Sequence, residues 1–318
     1  MRHLLILLCF AFSVLAQPPV SRLEGAVEDP SGGAVIGARI TAENWQTGYK
    51  ITAFSDSRGF YVFLSLPPGP YSVTTEAVGF RRAVLAGLVL DVSSTVTTTI
   101  HLELGATSET VNVVAKETPV QSTDAQGGGV VARTDIDILP QQERNPMKLA
   151  VFQPGVQVTA GSVGLSRVNG ARQGSNEVKL DGIDIGEPIT PALGYATPLP
   201  GDLVEEFRVI TYSPKAEYGR NSGAQIEIIK RSGTNQLHGG LFEYLRNTAL
   251  NANDFFNNAK AGGIPRPKLI YNAFGASLGG PLRRNRTFFF ASWQENRENQ
   301  ETPRNSLVLT DTAKSGIF

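Results

Sequence analysis

The 318-residue chain has one cysteine, three histidines, two tryptophans and no charge excess, with 29 basic and 29 acidic residues. Each shortage removes a class of function. The cysteine, Cys9, lies in an apolar run from Leu4 to Leu15 that follows the basic start Met1-Arg2-His3. That run is about a dozen residues, well short of the ~20 that a spanning helix needs. Val14-Leu15-Ala16 supplies the small or aliphatic residues that a signal peptidase reads, so residues 1–16 are expected to be a Sec signal peptide cleaved after Ala16. The mature chain then has no cysteine, which excludes disulfides and thiol chemistry, and Cys9 is not placed for a lipid anchor. His3 lies in the signal, and His101 and His238 have no ligand-spaced partners, so no metal site is expected. Balanced charge leaves no electrostatic footprint for nucleic acid. No later apolar segment is long enough for a transmembrane helix, so any membrane insertion has to be by β-strands. No carboxylate pair, Ser-His-Asp order or phosphate loop is evident; Gly127-Gly128-Gly129 lacks the Lys-Ser/Thr of a P-loop. No catalytic residue and no cofactor are expected, and the chain is not read as an enzyme.

What the chain does have is a succession of short strands. Leu23–Val27, Val35–Ala42, Lys50–Ser55, Phe60–Leu64, Tyr71–Ala77, Ala83–Leu90 and Thr95–Leu104 are β-branched or aromatic runs separated by turn residues such as Asp29-Pro30-Ser31-Gly32-Gly33. With no helical period between them, they predict a β-sandwich over residues 22–104. In the last run Val96, Ile100, Leu102 and Leu104 alternate with Thr97, Thr99, His101 and Glu103. The turns Asp56-Ser57-Arg58-Gly59-Phe60-Tyr61, Leu66-Pro67-Pro68-Gly69-Pro70-Tyr71 and Val78-Gly79-Phe80 give this segment its resemblance to the carboxypeptidase regulatory-like domain. The resemblance implies a transthyretin-like sandwich, also classed among carbohydrate-binding-like folds, that is not itself a peptidase. Its role is read either as a periplasmic interaction module or as a spacer. Trp45 and Tyr49 could stack on sugars or sit at the edge of the core.

Residues 105–130 lose apolar content and carry Thr118-Pro119 and Gln126-Gly127-Gly128-Gly129, the composition of a linker. Within it, Glu109-Thr110-Val111-Asn112-Val113-Val114-Ala115 resembles a TonB box, the extended segment by which the inner-membrane TonB protein grips a receptor. Its β propensity suits edge-on pairing with a partner sheet. The other reading is one more strand of the sandwich.

Residues 131–235 mix signals. Thr134–Leu139 reads as a strand, and Asn145-Pro146 opens a short helix with Met147, Ala150 and Val151 on one face. Glu177–Leu180, Leu203–Ile210 and Gln225–Lys230 read as strands. Val168-Asn169-Gly170-Ala171-Arg172-Gln173-Gly174-Ser175-Asn176, then Leu180-Asp181-Gly182-Ile183, resembles the plug domain of TonB-dependent outer-membrane receptors. Val204-Glu205-Glu206-Phe207-Arg208-Val209 and Glu217-Tyr218-Gly219-Arg220-Asn221-Ser222-Gly223-Ala224-Gln225-Ile226 look like the plug's second half. The resemblance implies plug-motif roles for Asn169, Gly170, Arg172, Asp181, Gly182, Glu205 and Arg208, with charges touching the barrel wall. The alternatives are surface solvation for the charges and plain turn chemistry for Asp181-Gly182. Asn169 departs from the family, which usually has Arg before this Gly; Arg167 or Arg172 would have to replace it.

From residue 236 to 318, His238–Arg246 sets Phe242 and Tyr244 on one face. Ala273–Gly279 alternates small residues with Phe274 and Leu278, and Arg286–Glu295 groups Phe289, Ala291 and Trp293. Aromatic-rich segments of about ten residues suit outer-membrane barrel strands. The order of sandwich, plug and barrel resembles the Oar-type branch of TonB-dependent receptors. About three barrel strands are visible, against about 22 in plugged outer-membrane transporters, so the chain is read as the N-terminal part of a receptor or a truncated product. The expected fold class is thus multidomain and mainly β: a transthyretin-like sandwich, an α/β plug, then the first strands of an outer-membrane β-barrel. The resemblance implies an outer-membrane protein with its N-terminal domains in the periplasm, the TonB complex as partner, and import of an unidentified small or polymeric ligand. The alternative is a soluble periplasmic or surface binding module, or an adhesin-type protein.

Overall fold

In the computed structural model, the residues described are 19–106, 110–114, 125–141, 144–157, 167–172, 174–186, 199–219, 221–260, 263–301 and 311–316. The signal peptide read at residues 1–16, with Cys9, lies outside them, as do Glu109 and Ala115 at the ends of the box-like segment. The chain is mainly β and divides into two compact units, residues 1–238 with 279–290, and residues 239–278 with 291–318.

The first unit begins with the sandwich. Its strands are Ser21–Glu28 (β1), Arg39–Asn44 (β2), Lys50–Phe54 (β3), Phe60–Leu66 (β4), Gly69–Glu76 (β5), Arg82–Leu90 (β6), Thr95–Thr97 (β7), Ile100–His101 (β8) and Thr110–Val114 (β9). One sheet runs β4-β1-β7, with β8 also on β1; the other runs β3-β2-β5-β6-β9. Alternating burial along β2 and β5 drives Ile40, Ala42, Tyr71 and Val73 into a core shared with Leu23, Tyr61, Leu88 and Leu102. The final run, expected as one strand from Thr95 to Leu104, is broken at Thr98-Thr99. The Thr98 N–H still bonds the Glu24 carbonyl of β1, but the Thr98 carbonyl accepts the Tyr61 hydroxyl, so that oxygen leaves the ladder. It does so directly over Gly25, where a Cβ would stand 1.7 Å from the Thr98 oxygen. Val96, Ile100 and Leu102 are buried as the alternation requires, on both sides of the break, but Leu104, past the end of β8, is exposed.

A second sheet follows in the same unit, built from Gly127–Val131 (β10), Glu177–Leu180 (β13), Ile183–Asp184 (β14), Val204–Tyr212 (β15) and Gln225–Lys230 (β16); Val156–Gln157 (β11) and Arg167–Val168 (β12) form a separate small pair. The order is β10-β15-β16-β13-β14, with β13 and β16 parallel and the remaining neighbours antiparallel. Phe207, Val209, Ile226, Ile228 and Val178 turn one face of it onto Ile136, Met147, Leu149 and Ala150. Two expectations are corrected here. The Gly-rich stretch at 127–129 is not linker but strand β10, paired with β15. The glycines serve close approach: a Cβ on Gly127 would meet the Tyr212 ring, and one on Gly128 would lie 1.8 Å from the Val209 carbonyl. Thr134–Leu139 is not a strand, because Arg133–Ile138 forms a helix (α1). Thr-Asp-Ile-Asp-Ile mimics strand alternation, but Asp135 accepts the Ala132 N–H in the first turn and Asp137 pairs with Arg133 four residues back. Asn145 caps a 3-10 segment, Pro146–Phe152, by accepting the Met147 N–H at 3.1 Å.

The remaining strands, His238–Asn247 (β17), Leu269–Arg283 (β18) and Thr287–Gln300 (β19), hydrogen-bond in that order. In the second unit Phe242 lies 5.6 Å from Tyr244, and Phe274 meets Trp293 edge-on at 5.7 Å. Leu241, Leu245 and Leu278 are exposed. The segment between β17 and β18 holds a one-turn helix, Phe255–Ala259, capped by Asp254.

Candidate functional site

The second sheet has one apolar face and one charged face, and the charged face is the more informative. Its cause is a register shift between Val204 and Glu206, which places Val204 and Phe207 on the same side and turns Glu206, Arg208 and Ile210 to the other. Across the ladder, Arg208 stands opposite Glu227 and Ile210 opposite Gln225. Glu177 and Glu227 both lie 3.6 Å from the Lys179 ammonium, which sits 4.9 Å from the centre of the Tyr218 ring.

This face grips the sandwich. The turn after β6, Asp91-Val92-Ser93-Ser94, is pinned from within by Ser21 and Ser94, whose hydroxyls both donate to the Asp91 carbonyl at 2.6 Å. Ser93 holds φ at 52°, a left-handed conformation uncommon outside glycine. Glu206 accepts the Val92 N–H at 2.7 Å, Arg208 donates to the Ser93 carbonyl at 3.1 Å, and the Tyr218 and Ser93 hydroxyls lie 3.3 Å apart. Arg208 is 3% exposed. Three side chains from β15 and the following loop thus clamp one peptide turn of the sandwich.

Burial raises the proton affinity of the carboxyls on this face, and neighbouring acids add to it at Glu206 and Glu227. Burial first, then the nearby Asp91 charge, raises the Glu206 carboxyl to about 8, against lowering by the Val92 N–H and Arg208. Burial also raises Glu227, to about 7, opposed by Lys179 and reinforced by Glu177. Asp91 is raised by burial in the same way. A cleft of about 530 Å³ opens beside the clamp, lined among others by Asp91, Arg133, Glu205, Glu206, Arg231 and His238. Its cations are engaged by protein groups: Arg133 donates to the Gly201 and Val204 carbonyls, and Arg231 lies 3.5 Å from Asp202. Among the described residues, no cluster of three or more His, Cys, Asp or Glu could hold a metal ion.

The residues singled out by sequence are placed in different parts of the first unit. Arg208 is central, but it faces the sandwich, whereas the resemblance had set it against a barrel wall. Glu205, its neighbour in the motif, is exposed beside Arg231. Glu206, Tyr218 and Asp91 were missed, although Glu206-x-Arg208 on an otherwise apolar strand places both side chains on one face. Asn169, Gly170, Asp181 and Gly182 are turn residues with positive φ. Asn169 tolerates φ of 50° and donates its amide to the Thr211 carbonyl, which gives a physical reason for Asn at this position. Asp181 accepts the Lys230 N–H and pairs with its ammonium, tying the β13–β14 turn to β16. Arg172 is exposed, and its carbonyl accepts the Ser175 N–H. In the box-like segment, Thr110, Val111, Asn112, Val113 and Val114 form β9, parallel to β6 in the register Arg82↔Thr110 to Ala86↔Val114. Trp45 and Tyr49 are exposed beside the β2–β3 turn.

Residues 22–103 match the family model of the carboxypeptidase regulatory-like domain, and residues 229–318 match that of the outer membrane beta barrel domain. Over 295 residues the chain is 25% identical to the TonB-dependent transporter Oar of Myxococcus xanthus. The chain is a relative of that transporter. The match takes in 85% of this chain and 27% of Oar, so the chain spans about a quarter of its relative's length. Among solved structures, the siderophore receptor PirA of Acinetobacter baumannii overlaps 54% of this chain and 24% of its own, at 19% identity and a TM-score of 0.42. Hydroxyquinol 1,2-dioxygenase of Pseudomonas putida overlaps 29% of this chain and 58% of its own, at 14% identity and a TM-score of 0.22. Neither overlap bears on what this chain does.

Proposed function

We propose that this chain is the periplasm-facing front of a TonB-dependent outer-membrane transporter. The sandwich, residues 22–104, precedes a connecting stretch at 105–130 that holds the box-like segment Glu109–Ala115, then a plug at 131–235 and the opening strands of a barrel from 236. The observation that carries the reading is the pairing of a regulatory-like domain with an outer-membrane barrel domain in one chain that is similar to Oar along 295 residues. A barrel strand needs lateral partners to satisfy its backbone in lipid, so β17–β19 act as part of a larger sheet. In this reading a ligand binds outside, TonB engages Glu109–Ala115, and the plug rearranges to open a path; the chain does no covalent chemistry.

The test is capture of the full chain by the purified C-terminal domain of TonB. Val111→Pro and Val113→Pro remove backbone donors that strand pairing requires, so the double variant is expected to lose at least ~90% of the captured protein. Equal capture of wild type and variant would overturn the assignment of the box.

A further inference from the structure

Strand β9 presents a difficulty for a segment that a partner is to grip: it is already paired. Thr110–Val114 lies at the edge of the five-stranded sheet, in parallel register along the first half of β6, from Arg82 to Ala86. It falls outside the regulatory-like domain match, which ends at residue 103. An antiparallel bridge between Phe80 and Leu104 closes the chain just before it. β9 is therefore a strand added to a domain that is already complete.

The base on which it rests is fixed. β6 runs on from Arg82 to Leu90 and passes directly into Asp91-Val92-Ser93-Ser94, the turn held by Glu206, Arg208 and Tyr218 of the second sheet. One strand thus carries β9 along its first half and ends in the clamp. Peeling β9 away leaves β6 bonded to β5 on its other side and anchored to the second sheet at its end. The peeled segment is short, five residues, and it is parallel, the weaker geometry per residue. A partner that offers antiparallel pairing can compete for it.

We propose that the sandwich stores the box-like strand: β6 holds Thr110–Val114 in a paired state, and a partner must displace it from β6 to engage it. The proposal rests on the reading of Glu109–Ala115 as a TonB contact. It gives the sandwich a function beyond that of a spacer, since it sets how much of the segment is free. The competing geometry is addition of the partner strand to the outer edge of β9 with β6 still in place.

A reversible lock separates them. Val84 and Asn112 are register partners across β6 and β9, and Cys9 is the one natural cysteine. In the full chain carrying Cys9→Ser, Val84→Cys and Asn112→Cys are expected to form a disulfide on mild oxidation. Purified TonB C-terminal domain is then expected to capture the reduced protein at least ~10-fold more than the oxidised one. Reduction of the same sample should restore capture. Equal capture of both forms would overturn storage in favour of addition at the outer edge. If TonB captures neither the reduced variant nor wild type, the transporter reading fails. Storage is then judged on the disulfide and on hydrogen exchange at Val111–Val113. A disulfide with protected amides supports storage, whereas its absence with exchange at unstructured rates overturns it.

Discussion

The sandwich and the second sheet bury their strands by different means. In the sandwich the buried polar groups are chiefly hydroxyls and an amide, Ser21, Ser55, Thr75 and Asn44, with the buried charge Glu24 paired to Arg22, around a core of Leu23, Ile40, Tyr61, Tyr71, Leu88 and Leu90. In the second sheet one face is equally apolar, but the other buries Glu177, Arg208 and Glu227. A sandwich covers its inner faces with each other, so alternation alone specifies it. A single sheet with helices on one side must find a cover for the other. Here the cover over β15 is a turn of the neighbouring sandwich, and polar side chains fit it because a turn presents peptide groups to be hydrogen-bonded. Buried charge in this position serves attachment between domains more than stability of the sheet itself.

The sharpest way to probe that difference is to empty both cores. Phe207→Ala is expected to cost roughly 3–5 kcal/mol and Leu88→Ala roughly 2–5 kcal/mol, read from denaturant unfolding with a tryptophan or circular-dichroism signal. Comparable losses would show that the apolar faces are equivalent and that only the second faces differ. Arg208→Leu attacks the clamp instead, and about 3 kcal/mol is expected because the acids around it lose their counter-charge. Limited proteolysis should then release a sandwich fragment sooner than in wild type, which a core mutation elsewhere in the second sheet would not do selectively.

Glu206→Gln tests the proton held at the junction. The folded carboxyl is raised from 4.5 to about 8, so between these values the folded state keeps a proton that the unfolded chain releases. Wild-type stability therefore falls as pH rises from about 4.5 through about 8, and Glu227, raised to about 7, adds to the same trend. The variant should lose a smaller share of its melting temperature between pH 6 and 9, by on the order of 5 °C. A wild-type profile that is flat or rises over that range would contradict the buried-carboxyl account. The smallest effect is expected at Lys50→Ala, which removes an exposed pair with Glu43 at 3.0 Å and should change stability by less than about 0.5 kcal/mol.

How far the sequence could be read follows the same division. The sandwich was legible because Tyr71, Val73 and Thr75 alternate with Ser72 and Thr74 along β5, and because each turn carries its own Gly, Pro or Asp. Its one break, at Thr98, depends on a glycine more than seventy positions earlier and leaves no local mark. In the second sheet the strands at 177–180, 204–212 and 225–230 announced themselves by composition. The clamp did not, because the register shift after Val204 reverses which of Glu205 and Glu206 turns inward. Strand β10 was hidden because its glycines, which look like linker, are there to let Tyr212 and the Val209 carbonyl come close. The box-like segment was legible as a strand former, but its pairing with β6 spans positions some thirty residues apart and rests on backbone geometry that composition does not encode.

Fractionation of the native cells tests the proposal that this chain is part of an outer-membrane transporter. An antibody raised against the second sheet should find the protein in the outer-membrane fraction, resistant to extraction by salt and carbonate. Recovery in the soluble periplasmic fraction after osmotic shock would contradict the account.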